Sequence, residues 1–203
     1  MQTFLMLLFP VLAFASSAQD AADPAGKFRT VADYRVIRAD FVQTRHLAEL
    51  DMKVVFTGEM VCEKNGRLRW QVKSPVSSMT VIGENLLKHY DGETGKLSVI
   101  RQDRFPWLEM LEKCMSDWIS GDPAQLARRF ELTAKDARTL RLLPKDPALK
   151  EIFSAAEIRA DARFDAVESI SIEERSGDRL EIRFRNIRKN PVLPEGIWEL
   201  PQR

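Results

Sequence analysis

The chain has 203 residues, of which 44% are hydrophobic and 30% are charged, and its formal net charge is +1. This composition excludes a disordered or fibrous protein, and the length suits one domain with a sizeable core. A net charge this close to zero gives no overall field that would recruit nucleic acid or an anionic membrane. We interpret the short basic run at residues 182–189 as the solvated face of a strand.

The N-terminus carries an uninterrupted apolar run at residues 4–15, followed by small residues and then a first charge at Asp20. The run is too short to span a bilayer comfortably but is typical of the hydrophobic part of a signal peptide. We therefore expect residues 1–18 to be a cleaved signal peptide and residues 19–203 to form one exported, soluble domain. Because the opening "MQT" has no Lys or Arg, an N-terminal anchor that is retained is the alternative.

Most of the chain after this segment alternates apolar and polar residues. The alternation is clear at residues 34–47 and 52–72, and the second stretch contains Asn65-Gly66, a strong hairpin signal. Further strand patterns with short turns lie at residues 78–100, 129–145 and 156–186. About ten such strands predict one large antiparallel sheet, which should curl because a flat sheet of that size is unusual.

One strongly amphipathic helix is predicted in the middle of the chain, from Pro106 to a stop at Gly121. At helical spacing its apolar residues fall on one stripe, which must be buried. The stripe consists of Trp107, Leu108, Met110, Leu111, Cys114, Met115, Trp118 and Ile119. Shorter helices are predicted after Asp122-Pro123 and at residues 147–152. The long helix is placed to cover the concave side of the sheet.

No catalytic or metal-binding motif stands out, so we expect a protein that is not an enzyme and uses no cofactor. His46 and His89 lie in different strands without the spacing of a metal site. Cys62 and Cys114 are not a C-x-x-C pair. In an oxidising compartment an even pair suggests a disulfide, whereas two separate buried thiols are equally consistent with the sequence. An exported, curved sheet with an apolar helix has the shape of a binding protein.

The order of motifs along the mature chain resembles the LolA-like family of bacterial periplasmic lipoprotein carriers, in its divergent branch. The matching stretches are "ADFVQTR" at 39–45, Gly58, "NGRLRWQVKSP" at 65–75, "SMTVIGENLLKHYD" at 78–91, "SGDPAQLARRFEL" at 120–132, "RLLPKDPALKEIF" at 141–153 and "SGDRLEIRFRNIRKNPVLPEGIWELP" at 176–201. Each motif alone is weak, and their order and spacing carry the resemblance.

The resemblance implies a mainly β (α+β) fold, in which a curved antiparallel sheet forms an incomplete β-barrel closed by a helical lid. It also implies a monomeric periplasmic carrier that takes acylated cargo, lipoprotein or another lipid, from an inner-membrane exporter to an outer-membrane acceptor. In the best-studied carriers a basic residue in the second hairpin is tied to lid opening. Lys64 and Arg67 are the candidates for that latch in this chain.

The expected lipid-binding residues are the large apolar side chains of the sheet and of the helix stripe. They are Phe41, Phe56, Met60, Leu68, Trp70, Met79, Val81, Leu87, Trp107, Leu108, Met110, Leu111, Met115 and Trp118. Ordinary core packing is the alternative for each of them. Two other functions are compatible with the same features: a lipid-sensing regulatory module of this fold, and a lipid hydrolase or acyltransferase that would use Cys62 near His89.

Overall fold

A computed structural model describes residues 24–64, 66–83, 85–101 and 106–201, with the side chains of residues 24, 25 and 106–112 left out. Within these residues eleven strands form one sheet. They are β1 (Val36–Leu47), β2 (Met52–Glu63), β3 (Leu68–Ser74), β4 (Ser78–Gly83), β5 (Leu86–Asp91), β6 (Lys96–Arg101), β7 (Phe130–Asp136), β8 (Thr139–Pro144), β9 (Phe153–Ala160), β10 (Val167–Glu174) and β11 (Arg179–Lys189). The single antiparallel sheet predicted from the alternation is confirmed, with one strand more than the approximate count.

The strand order is β6-β5-β4-β3-β2-β1-β11-β10-β9-β8-β7, and every neighbouring pair is antiparallel. All neighbours but one follow each other in sequence or return after a short helix. The exception is β11, which pairs with β1 and so joins the first and last parts of the chain, as at Phe41 opposite Phe184. Within the described residues β6 and β7 end the sheet and are not paired with each other. The sheet is therefore open along that side.

In the described part of the chain four helices accompany the sheet: α1 (Pro24–Val31), α2 (Pro106–Ser120), α3 (Pro123–Arg129) and α4 (Pro147–Ile152). The predicted starts of the two short helices are confirmed. The carboxylate of Asp122 accepts a hydrogen bond from the Ala124 N–H, and that of Asp146 does the same for Ala148. Gly121, with φ +63°, ends α2 as predicted. No helix of the described residues has the length and apolar character needed to cross a membrane.

The main core lies on one face of the sheet, beneath the C-terminal half of α2. Cys114, Trp118 and Ile119 of this helix are each at most 1% exposed. The Trp118 ring meets the Phe153 ring edge-on at a centroid distance of 5.5 Å, and Phe130 lies 6.1 Å away. Of the described stripe residues Cys114, Trp118 and Ile119 are buried and Met115 is half-buried, as the helical spacing indicated.

Both cysteines are free thiols in the structure, so of the two alternatives left open by the sequence it favours buried thiols over a disulfide. Cys62 lies on β2 beside Tyr34 and Ser116, whereas Cys114 lies on α2 near Arg129 and Asp117. Burial raises the pKa of each thiol to about 12. Since the thiolate is the reactive form, both side chains behave as small core hydrophobes.

Candidate functional site

An apolar cavity of about 440 Å³ lies between the concave face of the sheet and α2. Its size is within the range of about 300–1,000 Å³ that is usual for sites that bind small molecules. The apolar part of its wall consists of Leu68, Trp70, Ile82, Leu87, Met115, Trp118, Ile152, Phe153, Ile172, Leu180 and Ile182, and the polar part of Gln43, Arg45, Thr80 and Glu174. Carbon surface dominates this wall, and its polar groups are few.

The cavity exists because the sheet curves. Leu87 of β5 and Phe153 of β9 line it together, although six strands separate β5 from β9 in the sheet. In a flat sheet these two strands would lie about 34 Å apart, seven inter-strand spacings. Strand curvature therefore brings side chains from both halves of the chain onto one concave wall, which confirms the prediction of a curled sheet.

Register decides which predicted residues face the cavity. Opposite positions on neighbouring strands point to the same face, and Trp70 stands opposite Met60 on β2 and opposite Thr80 on β4. Five predicted residues line the cavity: Leu68, Trp70, Leu87, Met115 and Trp118. Three more lie on the same face outside the lining, namely Phe41, Phe56 and Met60.

Met79 and Val81 do not belong to this cavity. They alternate with Thr80 and stand opposite Gln71 and Arg69, on the outer face of the sheet. They are buried there, at 8% and 6% exposure. Apolar residues are therefore buried on both faces of the sheet, and apolar character alone does not indicate which face a residue occupies. Trp107, Leu108, Met110 and Leu111 complete the predicted set, and their side chains lie outside the described part of the chain.

The sequence interpretation missed the cavity wall contributed by the last three strands. These residues are Phe153 on β9, Ile172 and Glu174 on β10, and Leu180 and Ile182 on β11. Their alternation was visible, but the pairing of β11 with β1, which carries these strands to the site, is a long-range contact. No short sequence pattern reports such a contact.

Aromatic rings support the wall from below. The Phe41 ring stacks on the Trp70 ring at a centroid distance of 4.0 Å, and the Phe184 ring meets the Trp70 ring edge-on at 6.4 Å. The stack needs Gly58, because an added Cβ would lie 2.5 Å from Cζ of Phe41 and 1.9 Å from the carbonyl oxygen of Gln71. The glycine thus leaves room for the ring that positions Trp70 in the cavity.

One end of the cavity is polar. Nη2 of Arg45 donates to the Glu174 carboxylate at 2.8 Å and lies 3.5 Å from the Asp178 carboxylate. The side chains of Arg45 and Glu174 are 42% and 22% exposed, so this ion pair sits where the cavity meets solvent. Thr80 on β4 is a further polar residue of the wall, and its hydroxyl is hydrogen-bonded to His89 Nδ1 at 2.9 Å.

The two candidate latch residues tie the β2–β3 hairpin to the ends of the domain. Nζ of Lys64 donates to the carbonyl oxygen of Ala32 at 3.0 Å. The Arg67 guanidinium lies over the Trp198 ring, 4.5 Å from its centroid. These contacts join the hairpin to the residues after α1 and to the C-terminal segment, and a role of either residue in lid opening stays a prediction.

A second depression, of about 910 Å³, lies on the outer face between the C-terminal segment and strands β5 and β6. Lys88, Tyr90, Lys96 and Val99 contribute to it, and Val99 is 55% exposed. Its lining carries the charged side chains of Arg67, Lys88, Lys96 and Glu199. The concave cavity is smaller, but its wall is more apolar, so it is the better candidate for holding an apolar ligand.

Comparison with known proteins connects this architecture to one family. Residues 32–200 match the family model described as "Outer membrane lipoprotein carrier protein LolA". An outer-membrane lipoprotein carrier protein of Pseudomonas fluorescens (strain Pf0-1) is 21% identical over 192 residues, covering 94% of this chain and 90% of that protein.

Solved structures with the same fold include an uncharacterized conserved protein of Thermus thermophilus, with a TM-score of 0.52, 10% identity and coverage of 88% of this chain and 93% of that one. The complex of Pseudomonas aeruginosa MucA and MucB contains another, with a TM-score of 0.50 and 16% identity. That match covers 89% of this chain and 62% of its counterpart, so this chain spans less than two thirds of the matched one. Both likenesses concern the fold.

Proposed function

This chain belongs to the LolA family of outer-membrane lipoprotein carrier proteins, and from that premise we propose that it binds the acyl chains of lipoproteins or of another lipid in its concave cavity. The carrier shields these chains from water while it moves them through the periplasm from the inner to the outer membrane. An inner-membrane exporter and an outer-membrane acceptor are the proposed partners. Removal of residues 1–18 on export and a monomeric mature protein belong to the same proposal.

The observation that carries the proposal is an apolar cavity walled by both the sheet and α2. Each acyl CH₂ group that leaves water for such a cavity gains about 0.8 kcal/mol. Met115 gives the wall an adaptable side chain, Trp70 gives it a large rigid surface, and the buried Trp118 ring packs behind them. Binding therefore depends on buried area rather than on one specific contact, which suits a cargo that must later be released.

Two neighbouring leucines offer a matched test of this site. Leu87 lines the cavity, whereas Leu86 is the adjacent, similarly half-buried residue of β5 and stands opposite Gly83 and Arg101 on the outer face. We expect Leu87→Glu to weaken binding of a fluorescent acyl probe about tenfold or more, because the probe would have to desolvate a carboxylate. Leu86→Glu should leave the dissociation constant nearly unchanged, as measured by fluorescence titration.

Equal binding by wild type and Leu87→Glu would contradict the proposed site, and so would an equal loss in both variants. Circular dichroism and thermal unfolding of the two variants separate a lost site from a lost fold. Native mass spectrometry of the protein purified gently from its source then identifies the class of cargo, as an adduct with the mass of a lipid or an acylated peptide.

A further inference from the structure

The polar end of the cavity is built by residues that are distant in sequence and adjacent in the sheet. Gln43 and Arg45 lie on the concave face of β1, and Glu174 ends β10, with β11 between these strands. The Asp178 carboxylate lies next to the Arg45 guanidinium. Its position is fixed because it accepts a hydrogen bond from the Ala48 N–H at 3.0 Å. The rest of the described wall is apolar except for Thr80. An acyl ligand in this cavity would therefore meet most of its polar protein contacts at this end.

The charges at this end do not suit an anion. Arg45 is the single cation among the described lining residues, and Glu174 in the same lining cancels it. Asp178 adds a second carboxylate 3.5 Å from the guanidinium. A ligand carboxylate or phosphate would have to compete with both acids for Arg45 and would lie beside Glu174 without a compensating cation from the described wall.

An uncharged head group with ester or amide bonds fits the same groups. A carbonyl oxygen can accept from the Gln43 amide or from the Arg45 guanidinium, whose two described carboxylate contacts are both made by Nη2. A hydroxyl or amide N–H of the ligand can donate to Glu174. No charged group of the ligand then needs to be desolvated beside the ion pair.

We infer that the Gln43–Arg45–Glu174 end of the cavity selects acyl chains carried on neutral ester- or amide-linked heads over free fatty acids and other anionic amphiphiles. The inference rests on the proposed function, because it concerns the cargo of the same cavity. Glu174 is a specificity residue in this account: its carboxylate repels an anionic head more than it contributes to holding a neutral one.

Competition against a fluorescent acyl probe tests the inference with two ligands of equal chain length, 1-monopalmitoylglycerol and palmitate, at a mildly alkaline pH where palmitate is ionised. The informative quantity is the ratio of the two inhibition constants. For wild type we expect a ratio that favours the neutral ligand. Glu174→Gln removes the charge and should shift the ratio toward palmitate by about three- to fivefold, the effect of one partly exposed charge.

The neighbouring residue provides the control. Glu173 is paired with Arg141 at 3.0 Å and stands opposite Ala155 and Arg179, one position from Glu174 in the strand. Glu173→Gln makes the same change in net charge away from the cavity and should leave the ratio at its wild-type value. An unchanged ratio in Glu174→Gln, or equal shifts in both variants, would overturn the inference while leaving the carrier function intact. If neither ligand displaces the probe from wild type, the proposed function itself fails.

Discussion

A Gly58→Ala variant should lose about 3 kcal/mol of its free energy of unfolding, although the substitution adds a single methyl group. The added Cβ would lie 1.9 Å from a backbone oxygen of β3 and 2.5 Å from the Phe41 ring. Backbone of a central strand cannot move away cheaply, so β2 and β3 must separate or the ring must leave its place. The stack of Phe41 on Trp70 is then disturbed, and with it the wall of the cavity.

Urea unfolding measures this loss as a lower midpoint with an unchanged slope. Thr57→Ala, at the exposed preceding residue of β2, is the control and should change the free energy of unfolding by no more than about 0.5 kcal/mol. A Gly58→Ala protein as stable as wild type would show that Phe41 does not pack across β2 in the manner described.

Trp118→Ala should cost about 3–5 kcal/mol, because it removes a large side chain that is 1% exposed. The ring packs against both Phe130 and Phe153, which also contact each other, so its loss leaves a void at one corner of an aromatic cluster. Thermal or urea unfolding measures the effect. Met115→Ala, nearly one turn earlier on α2 and half-buried at the same cavity, should cost only about 1–2 kcal/mol.

The comparison of these two variants shows whether the C-terminal half of α2 is firmly attached to the sheet or mobile. A large effect at Trp118 with a small one at Met115 means that the C-terminal half of the helix is a fixed wall and not a freely moving lid. Similar small effects at both positions would contradict this view, since a loosely attached helix contributes little to stability. In both cases the result indicates whether the cavity can open through movement of the C-terminal half of α2.

Much of the fold was predictable because local chemistry determines it. The period-two alternation predicted the strands, and Asp122-Pro123 and Gly121 predicted helix boundaries that the structure confirms. The apolar stripe of α2 predicted the burial of Trp118. These features depend on residues within a few positions of one another, where sequence spacing translates directly into geometry.

The candidate site was only partly predictable because it depends on register and on curvature. The apolar side chain of Met79 predicts a cavity residue, but a shift of one position in a strand moves a residue to the other face of the sheet. Leu180 and Glu174 were missed because the β1–β11 pairing that carries them to the cavity joins the two ends of the domain. The polar end of the site depends on the same pairing, so no local motif could indicate it.

Photolabelling tests most directly whether acyl chains bind in the concave cavity. The wild-type protein is labelled with a diazirine-bearing acyl compound, and the labelled peptides are mapped with and without an unlabelled competitor. If acyl chains bind in the concave cavity, competed labels fall on half-buried wall residues such as Leu87, Met115 and Leu180. Labels confined to the outer depression near Val99, or labels that the competitor does not reduce, would contradict binding in the concave cavity. In that event the concave cavity would be a gap in the core, and the carrier function would need another site.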